Sequence, residues 1–121
     1  MAEPITLDLP LPPSVNKIRR INWASYADYK RWREDADKCL MLHKQNKQSP
    51  ILVPCSVLIE IAYDKLIADP DNILKGLLDY CVSRGFLNDD RKRFLREIIL
   101  RFTTEPLPEG CRVTLSSTNS V

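Results

Sequence analysis

Three glycines in 121 residues leave little room for a glycine-rich phosphate loop. Neither a Walker loop nor a dinucleotide-binding glycine pattern occurs, and there is no nucleophile elbow. Histidine is scarcer still, with His43 alone. The four cysteines, Cys39, Cys55, Cys81 and Cys111, form no C-x-x-C pair. This argues against a zinc site. Each cysteine sits in an apolar pattern, so buried free thiols are expected, which implies a reducing compartment. No apolar run approaches the ~20 residues that a membrane-spanning helix needs. The opening Met1-Ala2-Glu3-Pro4 lacks the basic and apolar regions of a secretory signal. The expectation is a cytoplasmic protein with no membrane partner.

What is present is ordinary soluble-protein composition, 44% apolar and 28% charged. The length fits a single domain over residues 1–121, with a frayed end at 117–121. Such a domain buries roughly 65% of the surface its unfolded chain exposes, so a second copy would help its stability. The net charge of +2 says little, but its distribution says more. Nine Lys/Arg stand against four Asp/Glu between Lys17 and Lys47, and six against three between Arg84 and Arg101. Two basic segments on one surface would attract a phosphate backbone; the plainer reading is a solvated helix face.

The pattern of apolar residues predicts an α+β fold, a small mixed sheet with two helices in the order β-α-β-α-β-β. Residues 4–9 alternate as a short strand, which Pro10, Pro12 and Pro13 stop. Residues 14–24 read as an irregular basic loop. Tyr29, Trp32, Ala36, Leu40 and His43 recur at helical spacing and predict a helix over 26–47. Residues 51–63 alternate as the clearest strand, with Pro54 suggesting an edge or a bulge. A second helix is predicted over 71–84 and ends at Gly85. Strands are expected at 98–103 and 112–116.

The informative stretch is Asp69-Pro70-Asp71-Asn72-Ile73-Leu74-Lys75, followed by Asn88-Asp89-Asp90. Two aspartates flank a proline where a strand gives way to a helix, and Asp90 follows that helix. Carboxylates gathered in one pocket repel each other and stay ionised only beside a cation. Mg²⁺ suits such a cluster, being a hard ion that keeps open positions for water and phosphate. Metal-activated water can then cleave a phosphodiester without any histidine. Lys75 lies one helical turn beyond Asp71 and could stabilise developing charge. Read plainly, the same residues are a turn and a helix cap. An EF-hand is excluded, because its sixth loop position would be Leu74 and its twelfth Tyr80. Glu60, Asp64, Asp79 and Asp89 are expected to be structural or solvated, with Asp79 paired to Lys75.

At these residues the chain resembles the RusA family of Holliday junction resolvases. Leu9-Pro10-Leu11-Pro12-Pro13-Ser14-Val15-Asn16 is similar to that family's N-terminal stretch. Asp69 to Lys75 is similar to its D-x-D-N-x-x-K motif, and Asp89-Asp90 to its acidic pair after the following helix. The resemblance covers roughly residues 5 to 116. It implies Asp69, Asp71 and Asp90 as metal ligands, Lys75 as the catalytic lysine, and Mg²⁺ as the ion, with Mn²⁺ able to stand in. It further implies a homodimer that cuts four-way DNA junctions by paired symmetric nicks, in a family common in prophages and tied to recombination and repair. The family's arginine run before D-x-D is missing here, where Asp64-Lys65-Leu66-Ile67-Ala68 stands. Arg91-Lys92-Arg93 is basic and could supply phosphate contacts instead, beside Asn16, Lys17, Arg19 and Arg20. The dimer is expected to use part of residues 51–63 or the 26–47 helix, with Tyr29 and Trp32 as anchors. The alternatives are a non-catalytic module that binds junctions, a metal-dependent nuclease for other branched or flapped DNA, and a structural protein whose carboxylates only cap and turn.

Overall fold

Alternation of apolar residues gives three of the strands a core face. Ile5, Leu7 and Leu9 do this on β1 (Ile5–Leu9), Cys55, Val57, Ile59 and Ile61 on β2 (Cys55–Ala62), and Cys111, Val113 and Leu115 on β4 (Cys111–Ser117). In the computed structural model these strands and β3 (Leu95–Thr103) form one mixed sheet in the order β1-β4-β2-β3. The structure describes residues 4–12, 27–48, 51, 54–64, 71–87 and 95–117, with the backbone alone at Asp71, Asn72 and Ile73. β1 and β2 each pair antiparallel with β4, and β2 pairs parallel with β3. With α1 (Ala27–Leu42) and α2 (Asp71–Ser83) the chain has the expected α+β class and the expected β-α-β-α-β-β order.

The two helices run in the same direction. The Tyr29 hydroxyl donates to the Gly76 carbonyl at 2.9 Å, and Arg84 donates to Asp37 at 2.8 and 2.9 Å; each contact spans 47 residues. Between them Trp32 stacks on Tyr29 and meets the edge of Tyr80. Trp32 also donates to the Pro10 carbonyl, tying α1 to the end of β1. Tyr29, Trp32, Leu40, Leu77, Tyr80 and Cys81 join the apolar strand residues in one buried cluster. Aromatic rings here give large buried area, and their polar atoms are hydrogen-bonded, as burial requires.

Several elements end differently from the sequence expectation. α1 stops at Leu42, not near Lys47, because Lys44 adopts a left-handed conformation at φ 58°. Gln45 N–H then reaches the Leu40 carbonyl, and Lys44 N–H the Met41 carbonyl. This is a Schellman ending built without glycine, so no glycine marks it in the sequence. α2 ends in the same way, with Gly85 at φ 80° and the Phe86 amide on the Cys81 carbonyl. β2 starts at Cys55; Ile51 forms only a bridge to Leu87. Pro54 does not mark an edge, since it precedes the strand and β2 is interior. A register shift does occur beside it, where Cys55 pairs with Leu95 and Ser56 with Glu97. β3 begins at Leu95, three residues before the predicted start.

The free edge of β1 is closed by side chains. Gln48 accepts from the Thr6 amide and donates to the Thr6 carbonyl, while Gln45 accepts from the Asp8 amide. Two glutamines thereby satisfy the edge groups that another strand would otherwise pair. Asp8, buried itself, receives Gln45 and Arg112.

Asp37 joins the helices electrostatically. Burial works against its charge, but hydrogen bonds from Arg84 and from Tyr80 (2.6 Å) outweigh that and hold the carboxyl below its ordinary range. A depressed carboxylate contributes stability above the unfolded value of about 3.9, and loses it as pH falls through the folded value. Asp37→Asn is therefore expected to lower the melting temperature at neutral pH and to narrow the gap from wild type below pH 3. Thermal melts between pH 2 and 7 check this, and an unchanged gap across that range would contradict it.

Candidate functional site

β2 and β3 are parallel neighbours, so the chain between them must cross over, and α2 is the crossover. The crossover begins after Ala62, at the carboxyl end of β2. The D-x-D-N-x-x-K motif lies on that connection. Asp71 opens α2, and its side chain lies outside the described residues. Asp69 and Asp90 lie outside them entirely, as do Asn16, Lys17, Arg19, Arg20, Arg91, Lys92 and Arg93. The convergence of the three aspartates and the course of the basic segments thus fall beyond what the structure describes.

Lys75 is described. It stands exposed at the start of the second turn of α2, and its Nζ lies 3.2 Å from Asp79 Oδ2, the expected i,i+4 pair. Such an exposed pair adds little stability, but it restricts where the ammonium can go. Leu77, Leu78, Tyr80 and Cys81 bury the opposite side of α2, which fixes the helix's rotation and leaves Lys75 on the solvent side.

The structure also sets the reach of Asp90. The Schellman ending turns the chain at Gly85, and Leu87 is held by the Cys81 carbonyl and by its bridge to Ile51. Only three residue steps then remain to Asp90, ~10 Å when extended. α2 is 13 residues long, so Asp71 lies ~20 Å from the turn. The remaining ~10 Å between α-carbons is what two aspartate side chains and an ion with ~2.1 Å bonds can bridge. A shared metal site therefore requires residues 88–90 to run back along α2, nearly extended.

An open cleft of about 450 Å³ lies at the carboxyl ends of β2 and β3, lined by Ala62, Tyr63, Asp64 and Thr103 to Leu107. Open α/β sheets place ligands at this end. Tyr63 is 69% exposed there, with its ring edge against Phe102. In sequence Tyr63 continues the alternation of residues 51–63, and no motif marks Glu105.

Among the described residues, the cysteines and His43 sit in structural settings. Burial pushes the Cys81 and Cys111 thiols up to about 12, and the half-buried Cys39, beside Glu109, up to about 11. All four thiols are free, and such thiols are poor nucleophiles at neutral pH. His43 pairs with Glu109 at 2.9 Å, tying the end of α1 to the β3–β4 turn. Among the described residues no group of three His, Cys, Asp or Glu side chains could hold a metal, and no helix is long and apolar enough to cross a membrane.

The reach argument gives a distance to measure. Spin labels at Asp71→Cys and Asp90→Cys, in a background where Cys39 is serine, should lie within about 20 Å of each other, label lengths included. A separation beyond 30 Å would place Asp90 out of reach of the helix start. No protein-family model matches this chain, and no curated protein matches it.

Proposed function

We propose that this chain is a metal-dependent endodeoxyribonuclease of the RusA-like type, resolving four-way DNA junctions by paired nicks. The observation that carries the reading is the opening of α2: Asp71 at the head of a crossover helix, after the carboxyl end of β2, with Lys75 exposed one turn on and tethered by Asp79. Asp69 and Asp71 flank this junction, and Asp90 is the third candidate ligand. Mg²⁺, or Mn²⁺ in its place, would supply Lewis acidity toward the phosphate and a more acidic water when bound.

The chain's own groups have separate tasks. Asp69, Asp71 and Asp90 would hold the ion with oxygen ligands. The Lys75 ammonium, positioned by Asp79, would offset charge developing on the scissile phosphate. The first backbone N–H groups of α2 have no intrahelical acceptor and favour an anion at that end. Asn16, Lys17, Arg19, Arg20, Arg91, Lys92 and Arg93 would contact the sugar–phosphate backbone, a sequence-independent and salt-sensitive attraction. Paired nicks need two centres, which a symmetric homodimer supplies.

Asp71→Asn should lower junction cleavage by at least ~100-fold while leaving junction binding intact or tighter, because one negative charge near the phosphate is lost. Asp79→Asn should cost much less, since Lys75 keeps its charge. Gel-shift and cleavage assays on one labelled junction check both. Full cutting by Asp71→Asn overturns the reading, and an equal loss in Asp79→Asn assigns that carboxylate to the metal set.

A further inference from the structure

The sheet has two edges with opposite character. The β1 edge is closed by Gln45 and Gln48. The other edge is β3, nine residues long, and none of the described residues pairs with its outer side. Ile98, Ile99 and Phe102 are 42%, 39% and 43% exposed there. A long apolar open edge is a template for another strand.

Of the interface expected from sequence, Met41 and Leu42 on α1 and Tyr63 after β2 are exposed, but the expected anchors are not. Tyr29 and Trp32 are buried between the helices, and β2 is paired on both sides. The register points to β3 instead. Asp8 on β1, Arg112 on β4, Glu60 on β2 and Arg101 on β3 occupy one row across the sheet. Charge alternates along that row and ends on a cation at the open edge. The strand able to continue it would present an acid opposite Arg101.

We propose that β3 pairs antiparallel with β3 of a second copy of this chain, about a two-fold axis at Ile99, joining two sheets into one. In antiparallel pairing, opposed residues carry their side chains on the same face, so a two-fold axis between identical strands passes midway between a residue and its own copy. An axis at Ile99 sets Glu97 opposite the partner's Arg101, and Arg101 opposite the partner's Glu97. It also sets Ile98 opposite the partner's Leu100. An axis at Ile98 sets Glu97 against Ile99, one at Leu100 sets Arg101 against Ile99, and one at Arg101 sets Glu97 against Glu105. Ile99 is thus the axis at which Glu97 and Arg101 answer each other and the apolar residues meet, with Arg96 set opposite the partner's Phe102. The inference rests on the sheet edge: the paired-nick reading calls for a homodimer, and what is added here is the interface and its register.

Sedimentation of the full chain at about 50 µM tests it. Wild type should run at twice the chain mass. Glu97→Arg and Arg101→Glu should each run as folded monomers by circular dichroism. Their equimolar mixture should recover dimers, because each strand then answers the other, and so should the double variant E97R/R101E. Ile99→Cys should form a disulfide-linked dimer on mild oxidation, since that residue faces its own copy. A monomeric wild type, dimers that persist in both single variants, or single variants that fail to associate when mixed would each overturn the register. Mg²⁺-dependent junction cleavage by dimers that persist in both single variants would separate failure of this interface from failure of the nuclease reading.

Discussion

Parallel strands cannot be joined by a hairpin, and the parallel pairing of β2 with β3 governs the rest of this molecule. It requires a crossover, and α2 supplies it. It sends the chain out of the sheet at the carboxyl end of β2 and returns it at the amino end of β3. The acidic motif lies on the outgoing connection, and the second acidic pair on the returning one. The same pairing leaves β3 at the edge, because β4 takes the other side of β2.

The crossover helix stays in place through α1. Tyr29, Trp32, Tyr80, Asp37 and Arg84 form a column in which stacked rings alternate with satisfied polar atoms. Burial raises the Tyr29 and Tyr80 hydroxyls above their ordinary value, so both remain protonated donors at any ordinary pH. This column holds the start of α2, and hence Lys75, with the side of the helix that carries Lys75 turned to solvent.

Strand alternation made the core legible in the sequence: Ile5, Val57, Ile59 and Val113 all face inward as their parity requires. The motif's position at a strand-to-helix junction was equally legible, as was the Lys75–Asp79 pair. Helix endings were less so, because Lys44 takes a conformation that favours glycine. The parallel register and the Gln45 and Gln48 caps were not legible, since they join residues far apart in the chain, 37 and 42 positions for the two caps. Nor was the burial of Tyr29 and Trp32 against α2, because a helical stripe does not say whether it meets its own chain or another.

The central claim is that the aspartates at the two ends of the crossover serve phosphodiester cleavage in branched DNA. Incubating the wild-type chain with a labelled four-way junction, a matched duplex and a flap, with and without Mg²⁺, tests it most directly. The account predicts symmetric nicks in opposing strands of the junction, only with Mg²⁺, and intact duplex. Cleavage of none of the three DNAs at any Mg²⁺ concentration, or cutting that persists in excess chelator, would contradict it.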